Sequence, residues 1–321
     1  MPSSLLLNVK DVSIFPHALL SECTTFKLGG PCLGLISCQT PEQLEGVIFE
    51  LIAQKTRFIL LGGGSNVVVS DHGLDCHAIR YVSERPIIHQ EKFDLFVSGS
   101  TSLDALAHYA AQAGLEGLNY TTGIPGTVGG AVVGNAGAFG KQVGDVLKSV
   151  RLINNQTGIK REVGPEVLDF RYRDSNLKTK GDIVISVRFG LRQGDREALL
   201  KEREEILKVR HEKHPNLETE PCAGSFFRNI EPTSKAGKRQ ATGWFLEQAG
   251  GKNLKHGGAI IFSKHANIII KSNGCTAQDV YELSKMMAKL AKEKFDLDLV
   301  REVRFVGKFK DMPDRINEII W

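Results

Sequence analysis

Three stretches of this chain are rich in glycine, and they are where its backbone could hold a ligand. LGGGSNVVVSD places Gly62, Gly63, Gly64, Ser65 and Asn66 directly after the run RFILL, residues 57–61. GIPGTVGGAVVGNAGAFG, residues 123–140, holds seven glycines, and TFKLGGP, residues 25–31, adds two more. Glycine lets another group come close to the main chain, and outward-turned N–H groups make an anion-binding concavity. A tight loop between two elements is the plainer reading of each cluster. Several such loops in one chain point instead to a long, polyphosphate-bearing cofactor threaded between two lobes. Two phosphate fingerprints are absent. The spacing from Gly123 is G-x-x-G-x-x-G rather than G-x-G-x-x-G with an acidic residue about 20 positions on, which disfavours a Rossmann domain. No G-K-[S/T] follows either cluster, so a P-loop fails as well.

Metal and thiol chemistry have little support. The six cysteines (Cys23, Cys32, Cys38, Cys76, Cys222, Cys275) contain no C-x-x-C pair and read as reduced thiols. His211 and His214 stand three apart, but on a charged helix end, and no metal site is expected. At 321 residues, 41% hydrophobic and 24% charged, the chain has the size and composition of about two globular domains. Its net charge of +4, without a Lys/Arg block, argues against nucleic acid as a partner and suits an anionic ligand. No apolar run reaches membrane-spanning length, and MPSSLLLNVKDVSIFPH lacks a basic segment ahead of its apolar patch, so a cytoplasmic protein with no membrane association and no obligate protein partner is expected.

The elements that must position these loops are legible from periodicity. Thr40 caps a helix with Pro41 at its first position, and Leu44, Val47, Ile48, Leu51 and Ile52 share a face. Strands are expected near 33–37 and 57–61, a second helix at 103–113 ending before Gly114, and strands near 148–153 and 182–191. Residues 194–214, GDREALLKEREEILKVRHEKH, read as a solvated charged helix and linker rather than a ligand site. Beyond it come a helix near 239–249, strands near 258–262 and 266–271, a long helix from Thr276 to about Phe295, and a last strand in VREVRFVG. Strands here are not regularly followed by crossover helices, so the class is α+β.

TFKLGGP, LGGGSNVVVSD, GLEGL with GIPGTVGGAVVGNAGAFG, FRYRDS, AGSFFRN, GGAIIFSKHANIII, TAQDV and REVRFVG occur in this order, and together they resemble the UDP-N-acetylmuramate dehydrogenase family of flavoenzymes, also called UDP-N-acetylenolpyruvoylglucosamine reductases. The resemblance covers roughly residues 24–307. It implies a bipartite FAD-binding domain of the vanillyl-alcohol-oxidase type at 24–193, with subdomains of about 24–82 and 83–193. A smaller α+β substrate domain would follow at 205–309, with 1–23 and 310–321 as extensions. It also implies non-covalent FAD, NADPH as hydride donor and UDP-N-acetylglucosamine enolpyruvate as substrate, in the supply of peptidoglycan precursors. Gly62, Gly63, Gly64, Ser65 and Asn66 would lie against the FAD pyrophosphate. Gly123, Ile124, Pro125, Gly126, Thr127, Gly129, Gly130, Asn135, Ala136 and Gly137 would lie against the rest of the cofactor.

The same resemblance assigns roles to single residues. Arg173 of YRDS matches an arginine that polarises the enolpyruvyl carboxylate, Ser225 of AGSFF a proton donor, and Glu302 of REVRF an acidic partner of the same intermediate. Asn229, Arg304 and His265 match positions near the substrate; for His265 a hydrogen-bonded core histidine is the alternative. Read from local sequence alone, Arg173 is a surface ion pair with Asp174, Ser225 a turn residue and Glu302 an exposed strand position. The family commonly has Ser-Ala-Gly-Ser-x-Phe-Lys-Asn-Pro where this chain has CAGSFFRNIEP, and the short interval between Arg173 and Ser225 resembles the branch without a tyrosine-bearing loop over the substrate. Two other readings share the frame, an FAD-dependent sugar or alcohol oxidase and a non-catalytic FAD- or nucleotide-sugar-binding protein. Neither needs Ser225 and Glu302.

Overall fold

The computed structural model describes residues 7–232 and 237–312. Residues 1–6 of the N-terminal extension and 313–321 of the tail lie outside the described residues.

The first lobe contains β1 (Ser13–Pro16), β2 (Cys32–Cys38), α1 (Pro41–Ala53), β3 (Phe58–Leu61), β4 (Val67–Val69) and β5 (Leu74–Tyr81). The sheet order is β1-β2-β5-β3, with β5 parallel to both β2 and β3 and β1 antiparallel at the edge. α1 begins as its sequence requires. Thr40 accepts from the Gln43 N–H, the Gln43 side chain returns a bond to the Thr40 N–H, and Pro41 occupies the first turn. Its buried face of Leu44, Val47, Ile48 and Leu51 packs on this sheet and on Ile153, Ile183 and Ile185 of the next lobe, so one apolar cluster joins the two lobes.

The second lobe contains β6 (Ile88–Glu91), β7 (Asp94–Ser98), α2 (Leu103–Gln112), α3 (Val128–Val133), β8 (Leu147–Asn154), β9 (Lys160–Val163) and β10 (Asp182–Gly190). The strands form an antiparallel sheet in the order β9-β8-β10-β7-β6. α2 buries Leu103, Leu106, Ala107 and Ala110, as their spacing predicts. The second glycine cluster is not all loop, since α3 forms inside it.

α4 (Arg196–Lys213) is as charged as expected and buries only Leu199 and Ile206, yet it is not a solvated linker. Arg203 grips Asp104 of α2 through two bonds of 2.8 and 2.9 Å, and the Asn119 side chain donates to the Leu199 carbonyl at 2.8 Å. The third lobe follows with β11 (Cys222–Ser225), α5 (Thr242–Gln248), β12 (Lys255–His256), β13 (Ala259–Ile261), β14 (Ile268–Lys271) and α6 (Ala277–Phe295), its antiparallel sheet ordered β11-β14-β13-β12. α6 opens with a Thr276–Asp279 capping box and buries Val280, Leu283, Met287 and Ala291 against that sheet. β15 (Arg304–Val306) then leaves this lobe and pairs in parallel with β4, Arg304 opposite Val67 and Val306 opposite Val69. That return sets Glu302 beside the first glycine loop. No helix among the described residues is long and apolar enough to cross a membrane.

Candidate active site

A cavity of about 520 Å³ lies where the lobes meet, walled by 61–67, parts of 124–139, the last turn of α4, the end of β11, Arg173, Glu302 and Arg304. The two main glycine loops meet face to face on one side. A Cβ on Gly62 would stand 2.5 Å from Thr127 Oγ1 and one on Gly63 2.8 Å from Gly126 Cα, while Ser65 Oγ donates to the Pro125 carbonyl at 3.0 Å. Gly64, at φ +62°, has the Cys23 carbonyl where a Cβ would be. Packing between the loops therefore demands Gly62 and Gly63, and packing on Cys23 and Thr24 demands Gly64, although all three also face the cavity. The loop at 25–31 does not line the cavity. Thr25 N donates to the Gly64 carbonyl at 3.1 Å and Gly30 abuts Asp71, so this loop buttresses the first one from behind.

Other glycines are less crowded. In α3, a Cβ on Gly130 would come no closer than 3.6 Å to Thr127 Oγ1, and just past its end one on Gly134 no closer than 3.5 Å to the Gly130 carbonyl. Both line the cavity, so an added side chain would fill the cavity rather than strike the fold. Arg173, Lys178, Arg210, Lys213 and Arg304 line it against Glu302, and the Arg210 Nε is buried with no hydrogen-bond partner among the described residues. A bare-backbone wall, an excess of cations and an orphaned guanidinium nitrogen fit an anionic dinucleotide such as FAD.

The remaining predicted cofactor residues divide. Ile124, Pro125, Gly126, Thr127, Ala136 and Gly137 line the cavity; Gly123, Gly129 and Asn135 do not. Gly123 donates to Asp104 at 2.6 Å, and Gly129 donates to the Gly99 carbonyl at 2.9 Å, seating α3 on the sheet. Asn135 is a knot in the loop: its amide donates to Gln142 and to the Arg171 carbonyl at 2.9 and 3.0 Å and accepts from Gly144 N at 3.0 Å.

Arg173, Ser225 and Glu302 reach the cavity from three separate places. Arg173 sits at φ +56° in a turn closed by two backbone bonds between Arg171 and Asp174, of 3.0 and 3.1 Å. A left-handed non-glycine residue costs on the order of 1–3 kcal/mol and needs support from its surroundings. Lys178 gives that support, donating to the Arg173 carbonyl at 2.6 Å and pairing with Asp174 at 3.1 Å. Arg228 donates to the Tyr172 carbonyl at 3.5 Å and reaches Asp174 at 3.8 Å. The Arg173 Nε lies 3.3 Å from Glu302 Oε1. Burial pushes the Glu302 carboxyl above the usual value, against the opposing pull of Arg173, Lys178 and Arg228. Ser225 ends β11 just past a bulge and Gly224, which has φ +76°. Asn66 ties the site to the glycine loop, its amide donating to the Glu302 carbonyl at 3.1 Å and its own carbonyl accepting from Arg304 N at 3.1 Å.

Asn229 and His265 do not join this cavity. Asn229 is exposed and accepts from Thr242 N at 3.3 Å at the start of α5. His265 accepts from Asn267 N at 3.2 Å and stacks on His214, ring centroids 6.2 Å apart. In their place the structure brings Lys178, Arg210, Lys213 and His214, none of which the sequence reading singled out as a cavity residue. Burial, with help from the neighbouring Arg210, pushes His214 down to about 4, so it is neutral at pH 7. The available signal was the closely spaced basic residues Arg210, Lys213 and His214, in the last turn of α4 and just past it.

Residues 32–163 match an FAD binding domain and 214–306 the C-terminal domain of UDP-N-acetylenolpyruvoylglucosamine reductase. The reductase of Carboxydothermus hydrogenoformans is 36% identical over 291 residues, 90% of this chain and 92% of that one. The reductase of Alkaliphilus metalliredigens is 34% identical over 296 residues, covering 92% and 94%. The crystal structure of the Thermus caldophilus reductase superposes with a TM-score of 0.74 at 31% identity, over 92% of this chain and 99% of that one. By sequence over nine-tenths of its length and by fold, the chain belongs to the UDP-N-acetylenolpyruvoylglucosamine reductase family.

Proposed function

We propose that this chain reduces UDP-N-acetylglucosamine enolpyruvate to UDP-N-acetylmuramate, with FAD as its cofactor and NADPH as reductant, in the supply of peptidoglycan precursors. FAD, when bound, supplies the relay of hydride from NADPH to the terminal carbon of the enolpyruvyl ether. The glycine walls around Gly63, Gly126 and Gly130 would hold the dinucleotide, and Arg210 and Lys213 would offset its negative charge. Hydride on the terminal carbon leaves an electron pair on the adjacent carbon, conjugated to the carboxylate. Arg173, fixed by its turn and by Glu302, stabilises that charge with a planar guanidinium. Ser225 transfers its hydroxyl proton to the carbon, completing the lactyl ether. A serine is a weak acid, but this carbanion is basic enough to take the proton when the hydroxyl is positioned and water is excluded. Glu302, held towards its protonated form, hydrogen-bonds the same intermediate. Residues 24–193 would then serve the cofactor and 205–309 the substrate, a division in keeping with the two family matches.

The observation that carries this reading is the convergence of Arg173, Ser225 and Glu302 on a glycine-walled, cation-rich cavity. Anaerobic stopped-flow spectroscopy tests it. Purified yellow protein should bleach with NADPH and regain colour on adding the enolpyruvyl substrate. Colourless protein that FAD cannot reconstitute, or reduced protein that the substrate leaves bleached, would end the proposal.

A further inference from the structure

Ser225 and Glu302 come from distant parts of the chain, and what joins them is the main chain of Phe226. Its N–H donates to the Asn267 carbonyl at 2.7 Å, and its carbonyl accepts from Glu302 N at 2.9 Å. The Asn267 side chain grips the next residue on both sides, Oδ1 accepting from Phe227 N at 3.0 Å and Nδ2 donating to the Phe227 carbonyl at 2.8 Å. Asn267 is 1% exposed, and Phe226 and Phe227 are as deeply buried. The ladder between β11 and β14 is bulged and ends at Ser225 opposite Ile268, so the asparagine takes over where strand pairing stops. His265 stands one layer further out, accepting from Asn267 N.

We propose that Asn267 is the positioning residue that sets Ser225 and Glu302 relative to one another, an assignment that rests on the reading of those two residues given above. Neither backbone group of Phe227 has water to turn to in this core, so removing the amide leaves a buried donor and a buried acceptor unpaired. The segment that presents Ser225 then relaxes, and so does Phe226, on which the Glu302 main chain depends. Substrate and cofactor contacts elsewhere in the cavity remain. The consequence is a loss confined to the step that uses Ser225.

Asn267→Ala, and the milder Asn267→Ser, should retain FAD and accept hydride from NADPH at close to the wild-type rate. Reoxidation by the enolpyruvyl substrate should slow by about 10- to 100-fold in the alanine variant, the usual effect of misplacing a reacting group by about an ångström. The solvent deuterium isotope effect on that step should rise as proton delivery becomes limiting. Because Asn267 acts through Ser225, adding Asn267→Ala to Ser225→Ala should slow reoxidation little beyond Ser225→Ala alone. The proposal is overturned if the alanine variant reoxidises at the wild-type rate, or if both half-reactions slow in equal proportion. Should the alanine variant not fold, the same outcomes are read from Asn267→Ser. Wild-type reoxidation by Ser225→Ala would instead remove the underlying reading, so the two failures are told apart.

Discussion

Arg173 shows how strongly the fold is committed to one side chain. Its backbone is left-handed, a conformation that glycine or asparagine would take more easily, and Lys178, Asp174 and Arg228 are spent holding it. Lysine would keep the charge but not the planar fork, so Arg173→Lys should slow substrate reoxidation about 100-fold while FAD content and NADPH reduction stay near wild type. Ser225→Ala should do the same by about 10²–10⁴-fold, the range of a positioned general acid. Equal losses in both half-reactions would contradict these assignments. Glu302 gives a separate, thermodynamic test. A carboxyl whose folded pKa is raised by burial contributes its full share to stability below its unfolded value, near 4.5, and loses that share as pH rises through the folded value. Glu302→Gln should therefore gain in Tm relative to wild type as the pH is taken from about 4 to about 8. A difference moving the other way would mean that the ion pair with Arg173 outweighs burial. That Arg173, Ser225 and Glu302 face one cavity was legible only through ordered motifs, because a serine after glycine or an arginine before aspartate is locally indistinguishable from surface. Asn229 and His265 lie outside the cavity that these three residues share, Asn229 bonded to the first N–H of α5 and His265 to the N–H of Asn267.

At the scale of elements, helices read well wherever a cap and a 3.6-residue stripe coincide, as in α1, α2 and α6. β5 escaped notice although it lies between β2 and β3. Asp75, His77 and Arg80 interrupt its apolar pattern, while Cys76, Ala78, Ile79 and Tyr81 are buried. α4 was misread because composition reports the solvated face and not the two positions, Leu199 and Ile206, that seat the helix, nor the last turn that reaches the cavity. The glycine clusters posed a choice between packing and cradle, and the structure separates the two by position. Gly64→Val would require a β-branched residue at φ +62° with its Cβ on the Cys23 carbonyl, so it should give insoluble protein or a Tm lower by many degrees. At Gly130, which lines the cavity, a Cβ would come no closer than 3.6 Å to Thr127 Oγ1, so Gly130→Val should give folded, colourless protein. Circular dichroism with the visible spectrum checks both, and full FAD content in Gly130→Val would remove α3 from the cofactor cradle.

The cavity belongs to no single lobe. Its walls run from 61–67 through 124–139 and the end of α4 to Ser225, and β15 closes it by returning to pair with β4, which puts Glu302 within reach of Asn66. Sequence order gives no sign of this closure, since three valines and the short run RFV are too brief to reveal a parallel pairing partner more than 200 residues away. The closure has a kinetic consequence. The glycine walls that would hold the cofactor and the three residues proposed to act on the substrate bound one and the same cavity, so NADPH and the enolpyruvyl substrate must approach the same reacting end of the cofactor. They should therefore occupy the site in turn, each leaving before the other enters. Initial rates measured at several fixed concentrations of one against the other should give parallel double-reciprocal lines, and a high concentration of either should inhibit competitively against the other. Intersecting lines, obtained with that inhibition controlled, would require NADPH and substrate to be bound together, which a shared site does not allow.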